Sequence, residues 1–200
     1  MKERPILFSG SMVRAILSGS KSQTRRVVKP QPVYVQQSRG ICSSAPDWSH
    51  IIKCPYGQPR DRLWVRENCQ GWVFDSTGES VVRFEADGKF EEIENSPDSG
   101  DRWTGLYHYR GKHGAMVPSI HMPRWASRIL LEIISIRVER LQDISQADAQ
   151  AEGWNPLAED GKNPAPLDPK SWYQMLWNQI NGAKSWDADP WVWVIEFRRI

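Results

Sequence analysis

The stretch LSGSKSQTRR, residues 17–26, sets a lysine, a serine, a threonine and two arginines directly behind Gly19. Upstream, Met12, Val13, Ile16 and Leu17 recur at helical spacing, and Gly19 stands where such a helix would end. Downstream, a strand is predicted over Thr24–Lys29, before Pro30 and Pro32 break the pattern. The segment is thus a helix-to-strand turn rich in hydrogen-bond donors. Two readings are open at this point: the wall of a site, or a basic loop in solvent.

The charge around it is uneven. Seven basic residues and no acidic one lie between Arg4 and Pro46, whereas nine acids face only Arg83 and Lys89 between Asp75 and Asp101. The net charge of the 200-residue chain is only +2, so the asymmetry, not the total, suggests an anionic partner for the first segment. Eleven tryptophans, from Trp48 to Trp193, serve the core, with one or two available for stacking on bases. The N-terminus has no apolar run of signal-peptide length, and WVWVI at 191–195 is too short to span a bilayer. A cytoplasmic protein with no membrane partner is expected. Cys42, Cys54 and Cys69 are an odd number, read as reduced thiols. Cys42, His50 and Cys54 lack a fourth ligand at a recognisable spacing, so no metal and no cofactor are expected. His108, His113 and His121 read as loop residues.

Along the chain, strands are predicted at Ile6–Phe8, at DRLWVRE (61–67), at VVRFEA (81–86), and as one bent strand or two within 128–141. Residues 30–60 and 87–124 read as loops. Ser145 with Asp148 three positions on marks a helix start, closing at Gly153. After a loop over 154–167, Asp168 and Pro169 open another helix whose stripe Trp172, Met175, Leu176 and Ile180 is assigned to the core. Pro190 precedes a last strand, WVWVIEFRR. Helices between unequal strands, without repeating βαβ units, predict an α+β fold with a curved sheet or small barrel.

Three segments carry a resemblance. LSGSKSQTRR resembles the G-x-K-[ST]-x-T-x-R signature of ASCH domains, small β-barrel proteins related to PUA RNA-binding domains. LQDISQADAQAEG (141–153) looks like the ASCH helix that ends in a glutamate, here Glu152, and WVIEFRRI (193–200) is similar to the closing strand. CPYGQPRDRLWVRE and SIHMPRWASR add a likeness to a prophage-encoded, "morphogenetic" ASCH group. The pattern departs where ASCH domains have Gly-Asp, since Arg60 precedes Asp61. The resemblance implies one PUA-like domain over 1–200: a core of 4–29, 61–67, 125–153 and 168–200, short flanking helices, and two long loop-rich insertions, 30–60 and 68–124.

It also implies an activity. A bacterial member is an amidohydrolase that removes the acetyl group of N4-acetylcytidine, and its catalytic lysine, threonine and glutamate fall on Lys21, Thr24 and Glu152. Ser22, Arg25, Arg26, Trp64 and Arg66 are then expected to bind substrate or nucleic acid. The chemistry is coherent: an amide needs a nucleophile, a base to activate it and an acid for the departing amine. Lysine is a base only if burial or neighbouring cations lower its pKa. The alternatives are a non-catalytic binder of RNA or a modified base, a ribonuclease, and a phage assembly protein; oligomeric state is left open.

Overall fold

The computed structural model describes residues 1–31, 53–93, 98–155 and 168–200. In chain order the first elements are β1 (Glu3–Leu7), α1 (Gly10–Leu17), β2 (Gln23–Val27), β3 (Arg62–Arg66), β4 (Cys69–Val73), β5 (Ser80–Phe84) and β6 (Phe90–Glu92). They are followed by α2 (Ser99–Tyr107), β7 (Leu130–Arg140), α3 (Gln146–Ala151), α4 (Pro169–Asn181) and β8 (Trp191–Arg199). The chain divides into two compact units. One holds residues 1–17, 62–132 and 199–200, the other 18–61 and 133–198.

In the first unit β1 runs parallel to β3, Glu3 opposite Arg62 and Leu7 opposite Arg66. β3 pairs antiparallel with the first residues of β7, Trp64 opposite Leu130. A separate antiparallel sheet has the order β4-β5-β6. Cys69, Val82, Phe84, Leu106, Val117, Met122 and Ala126 form the apolar centre beneath it. A loop-rich insertion over 68–124 is therefore corrected to a three-stranded sheet with a helix. CQGWV and FEE carry too little apolar alternation to read as strands; they become strands by pairing with SVVRF. Gly71 shows why its site resists a side chain, since a Cβ there would lie 2.8 Å from the Tyr107 Cα.

In the second unit β2 pairs antiparallel with β8, Gln23 opposite Glu196 and Val27 opposite Val192. β8 also neighbours β7. The expected small barrel is corrected as well: the orders β1-β3-β7 and β7-β8-β2 are each open among the described residues, because the five-residue strands β1 and β2 end them. The α+β class stands.

The Ser145 hydroxyl caps α3 by accepting from the Asp148 N–H at 3.0 Å, and Asp168 caps α4 by accepting from the Ser171 N–H at 3.1 Å. The stripe assigned to α4 is shifted. Tyr173 and Trp177 are the buried residues, packed with Leu141, Ile144, Ala149, Trp186, Val192 and Val194; Trp172 and Leu176 pack against this core as expected, half-buried, while Met175 and Ile180 are exposed. Apolar spacing alone could not choose between two overlapping stripes; the two larger rings took the core. Arg60, where the ASCH pattern has glycine, takes φ 74°, in the left-handed region that glycine enters without steric cost. Most of the 30–60 and 154–167 loops, with Cys42, Trp48 and His50, lie outside the described residues.

Replacing Gly71 with alanine must push the Tyr107 backbone away. A loss of roughly 1–3 kcal/mol is expected from this overpacking, read by urea denaturation of the purified variant. An unchanged midpoint would show that α2 does not press on β4 at this point.

Candidate acid–base site

The turn behind Gly19 becomes a buried charge cluster within the second unit. Backbone pairing sets it up: Lys21 and Glu152 form an antiparallel bridge. The Ser22 N–H donates to the Ala151 carbonyl at 2.9 Å, and the Phe197 N–H donates to the Ser22 carbonyl at 2.9 Å. The end of α3 is thereby stitched to the entry of β2, and Glu152, its C-terminal cap, arrives beside Lys21.

Lys21 Nζ donates to the Gln23 carbonyl (2.7 Å), the Glu152 carbonyl (2.9 Å) and Glu152 Oε2 (2.7 Å). Its side chain is 0% exposed and that of Glu152 3%. All three ammonium hydrogens thus have an acceptor. Burial lowers the lysine pKa, Glu152 works against the shift, and the charges of Arg26 and Arg25 reinforce it. This is the condition under which a lysine can serve as a base.

Arg25 occupies the other carboxylate oxygen. Its Nη1 reaches Glu152 Oε1 at 3.2 Å and Gln23 Oε1 at 2.6 Å. Its Nη2 meets Glu139 Oε1 at 2.5 Å and Asp148 Oδ2 at 3.3 Å. Burial opposes this charge, yet Glu152 and Glu139 hold the guanidinium pKa above its ordinary value. Arg137 extends the network to Glu139, Asp148 and Glu196. Lys21, Arg25 and Arg137 are thus paired among the four carboxylates Glu139, Asp148, Glu152 and Glu196, with the Arg26 charge also felt at Lys21. Tyr173 closes the cluster beneath the Arg25 guanidinium, 5.8 Å from its ring centre. Burial first, then the Glu152 charge, push its phenol well above the ordinary value.

Of the expected site residues, Lys21, Arg25 and Glu152 meet directly. Thr24 is buried on β2 opposite Ile195, and the pleat turns its side chain to the face away from Gln23 and Arg25. Arg26 follows on the same face as Thr24, half-buried, and Ser22 is exposed. Trp64 and Arg66 belong to the first unit. Sequence reading missed Gln23, Arg137, Glu139, Asp148, Tyr173 and Glu196. A signal existed in SIRVE: Ser135, Arg137 and Glu139 alternate with apolar residues and so share one face of β7. Among the described residues no cluster of three or more His, Cys, Asp or Glu could hold a metal ion. No helix there is long and apolar enough to cross a membrane.

No family model and no curated protein matches the chain. It is similar to a solved structure, the ASCH domain from Lactobacillus crispatus JV V101. The TM-score is 0.42 and the identity 10%, over 99% of this chain and 79% of that one.

Two outcomes follow from the cluster. Lys21→Met or Glu152→Gln alone should each cost about 3–5 kcal/mol, because each leaves a buried charge short of its partner. The double variant Lys21→Met/Glu152→Gln should cost less than the sum of the two; additive losses in denaturant titrations would rule out coupling between them. Acid should also weaken the second unit. For Asp148, burial works against the charge, but bonds from Gln23 and Ser145 and the charges of Arg25 and Arg137 outweigh it and lower the pKa. For Glu196, the Ser135 hydroxyl is the main cause of lowering, opposed by burial and aided by Arg137. Both are favoured as carboxylates by folding. Their contribution is full above the ordinary values of 3.8 and 4.5 and is lost as pH falls through the lowered folded values. Thermal melts from pH 6 to about 2 should show it, and Arg137→Gln should flatten the dependence.

Proposed function

We propose that Lys21 and Glu152 are the acid–base pair of an amidohydrolase acting on an N4-acylated cytidine-like base. The observation that carries this reading is the 2.7 Å contact between a fully buried ammonium and a buried carboxylate, with the lysine pKa lowered by burial. One proton shift along that bond turns an ammonium and a carboxylate into an amine and a carboxylic acid. Those are the base and the acid that amide hydrolysis needs, already side by side. The resemblance of GSKSQTRR and QADAQAEG to the ASCH signature supports the same assignment.

The Thr24 hydroxyl attacks the acyl carbon and gives its proton to the Lys21 amine. The carbon–nitrogen bond breaks, and the leaving exocyclic nitrogen takes a proton from Glu152. Lys21 and Glu152 are then ammonium and carboxylate again, and water cleaves the acyl ester on Thr24, its hydroxyl going to the acyl carbon and its hydrogen to the Thr24 oxygen, so that acetic acid leaves as acetate and a proton passed to solvent. Acid–base assistance of this kind is worth roughly 10²–10⁴-fold in rate. For Lys21 and Thr24 to cooperate across β2, the entry of that strand must shift when substrate binds.

A second reading has its own support. All three Lys21 hydrogens are already engaged, which suits a rigid element of a non-catalytic binder of RNA or a modified base. Cytidine release from N4-acetylcytidine, followed by chromatography with Lys21→Ala, Thr24→Ala and Glu152→Gln alongside, separates the two. Hydrolysis lost by at least 100-fold in folded variants supports the catalytic reading. Absence of turnover in the folded parent protein overturns it. The rate should fall as pH rises through the lowered lysine value, below the ordinary 10.5, because the pair then has no proton left for Glu152 to give; a rate that holds past 10.5 would remove Lys21 from the pair.

A further inference from the structure

The sheet β4-β5-β6 of the first unit has an open edge. On the β4 side, Cys69 exchanges two backbone bonds with Val117, at 3.1 and 2.7 Å, and Tyr107 presses on Gly71. On the other side β6 ends the sheet, and no strand pairs with its outer edge among the described residues. Its residues Phe90, Glu91 and Glu92 are all exposed. Such an edge presents backbone donors and acceptors to any extended chain.

The two faces beside this edge differ. Trp72 lies opposite Val81 and Arg83 opposite Phe90, so register and alternation put these four side chains on one face. Trp72 and Phe90 are each 39% exposed, with ring centres 6.2 Å apart, and Phe74 adds a third ring 4.8 Å from Phe90. Val82, Phe84 and Glu91 belong to the opposite face, Glu91 directly across from Val82. There they line a cavity of about 380 Å³ together with Ser99, Trp125 and Ala126. A strand laid along β6 would send alternate side chains to the rings and to the cavity.

Charge sets the kind of strand. At the cavity, Arg102 is matched by Asp98, Arg124 by Glu3, and Arg128 by Glu67 and Asp87. Glu91 and Glu92 pair with no cation among the described residues. Nine acids face only Arg83 and Lys89 between Asp75 and Asp101. The charge left without a counterpart at this edge is therefore negative.

We infer that the β6 edge docks an extended segment of a partner protein in which lysine or arginine alternates with apolar residues. The segment adds as a fourth strand. Its backbone pairs with β6, and its apolar side chains cover Trp72 and Phe90. Its cationic side chains enter the cavity, stems against Val82, Phe84 and Trp125 and heads toward Glu91. Main-chain bonds hold a strand of this kind, and the two faces select its side chains. A second copy of this chain is disfavoured, because pairing two β6 edges brings like carboxylates together. Nucleic acid is disfavoured by the same carboxylates. A short charged edge also guards against self-association, but that role alone leaves two exposed rings unexplained.

The test is fluorescence anisotropy of a fluorescein-labelled octapeptide of alternating lysine and valine, titrated with the full-length protein at low and high salt. Saturable binding that weakens with salt is expected. Phe90→Ala should weaken it about tenfold, and Phe90→Leu, which keeps apolar bulk at the same exposed position, should recover most of the loss. Glu91→Lys/Glu92→Lys should weaken it by about tenfold or more and remove most of the salt dependence. The same peptide methylated on every backbone nitrogen has no N–H to donate and should bind far more weakly. Absence of peptide binding by the parent protein, or affinities unchanged in Phe90→Ala and in the charge reversal, overturns the proposal. Equal binding of the methylated peptide overturns the added strand, and equal binding of a glutamate–valine octapeptide overturns the basic partner. A concentration-dependent dimer in sedimentation that shuts the peptide out makes a second copy the occupant, and overturns it too.

Discussion

A lysine ammonium shut away from water must find its acceptors inside the protein, and Lys21 finds three on just two residues, Gln23 and Glu152. That demand organises the second unit. Two of the acceptors are backbone carbonyls, so the ammonium holds main chain as well as side chain: the start of β2 and the end of α3. The Ser22–Ala151 and Phe197–Ser22 bonds follow from the same seam. Glu152, drawn to Lys21, has a second oxygen to satisfy, and Arg25 reaches it. Arg25 in turn needs Glu139 and Asp148. Each buried charge calls for the next, until Arg137 and Glu196 carry the chain of pairs to more exposed ground. Buried pairs of this kind seldom add stability over an apolar core, but removing one member is costly, so the arrangement is specific once formed.

The first unit buries a cation as well and settles it differently. Arg128 forks onto Glu67 (2.9 and 3.0 Å) and onto Asp87 (3.0 and 3.0 Å), with its plane 4.0 Å from the Phe84 ring centre. Burial raises the Glu67 pKa despite that arginine. The Asp87 pKa is lowered, its slight burial being outweighed by bonds from Arg128 and the Lys89 N–H. A guanidinium does not give up its proton under any condition a protein meets, so this cluster is a rivet. An ammonium can give one up, and burial has brought Lys21 closer to doing so. Proton chemistry is therefore available in one unit, and a fixed positive charge in the other.

Much of the scaffold was legible from pattern alone. Gly19 after an apolar helical stripe, Ser145 with Asp148, Asp168 with Pro169, and the β-branched run 128–141 each name a local structure for a local reason, and each forms. CQGWV and FEE were illegible because their strand character comes from a partner: one has a glycine where Tyr107 presses in, the other is a three-residue edge. The choice of Tyr173 and Trp177 over Met175 and Ile180 was illegible for a related reason. Both stripes have helical spacing, and only the space between α4 and the β2-β8 face distinguishes them.

By itself, the sequence determined the α+β class and the helix-to-strand turn at Gly19, and a motif resemblance singled out Lys21, Thr24 and Glu152. Caps, turns and periodicity act over a few residues, which a linear reading can see. Only the tertiary structure decided that the strand orders are open among the described residues, that Arg25 faces carboxylates and not solvent, and that Lys21 is desolvated. These depend on burial and on through-space Coulomb terms between residues more than a hundred positions apart, as with Lys21 and Glu152, and no local pattern encodes them.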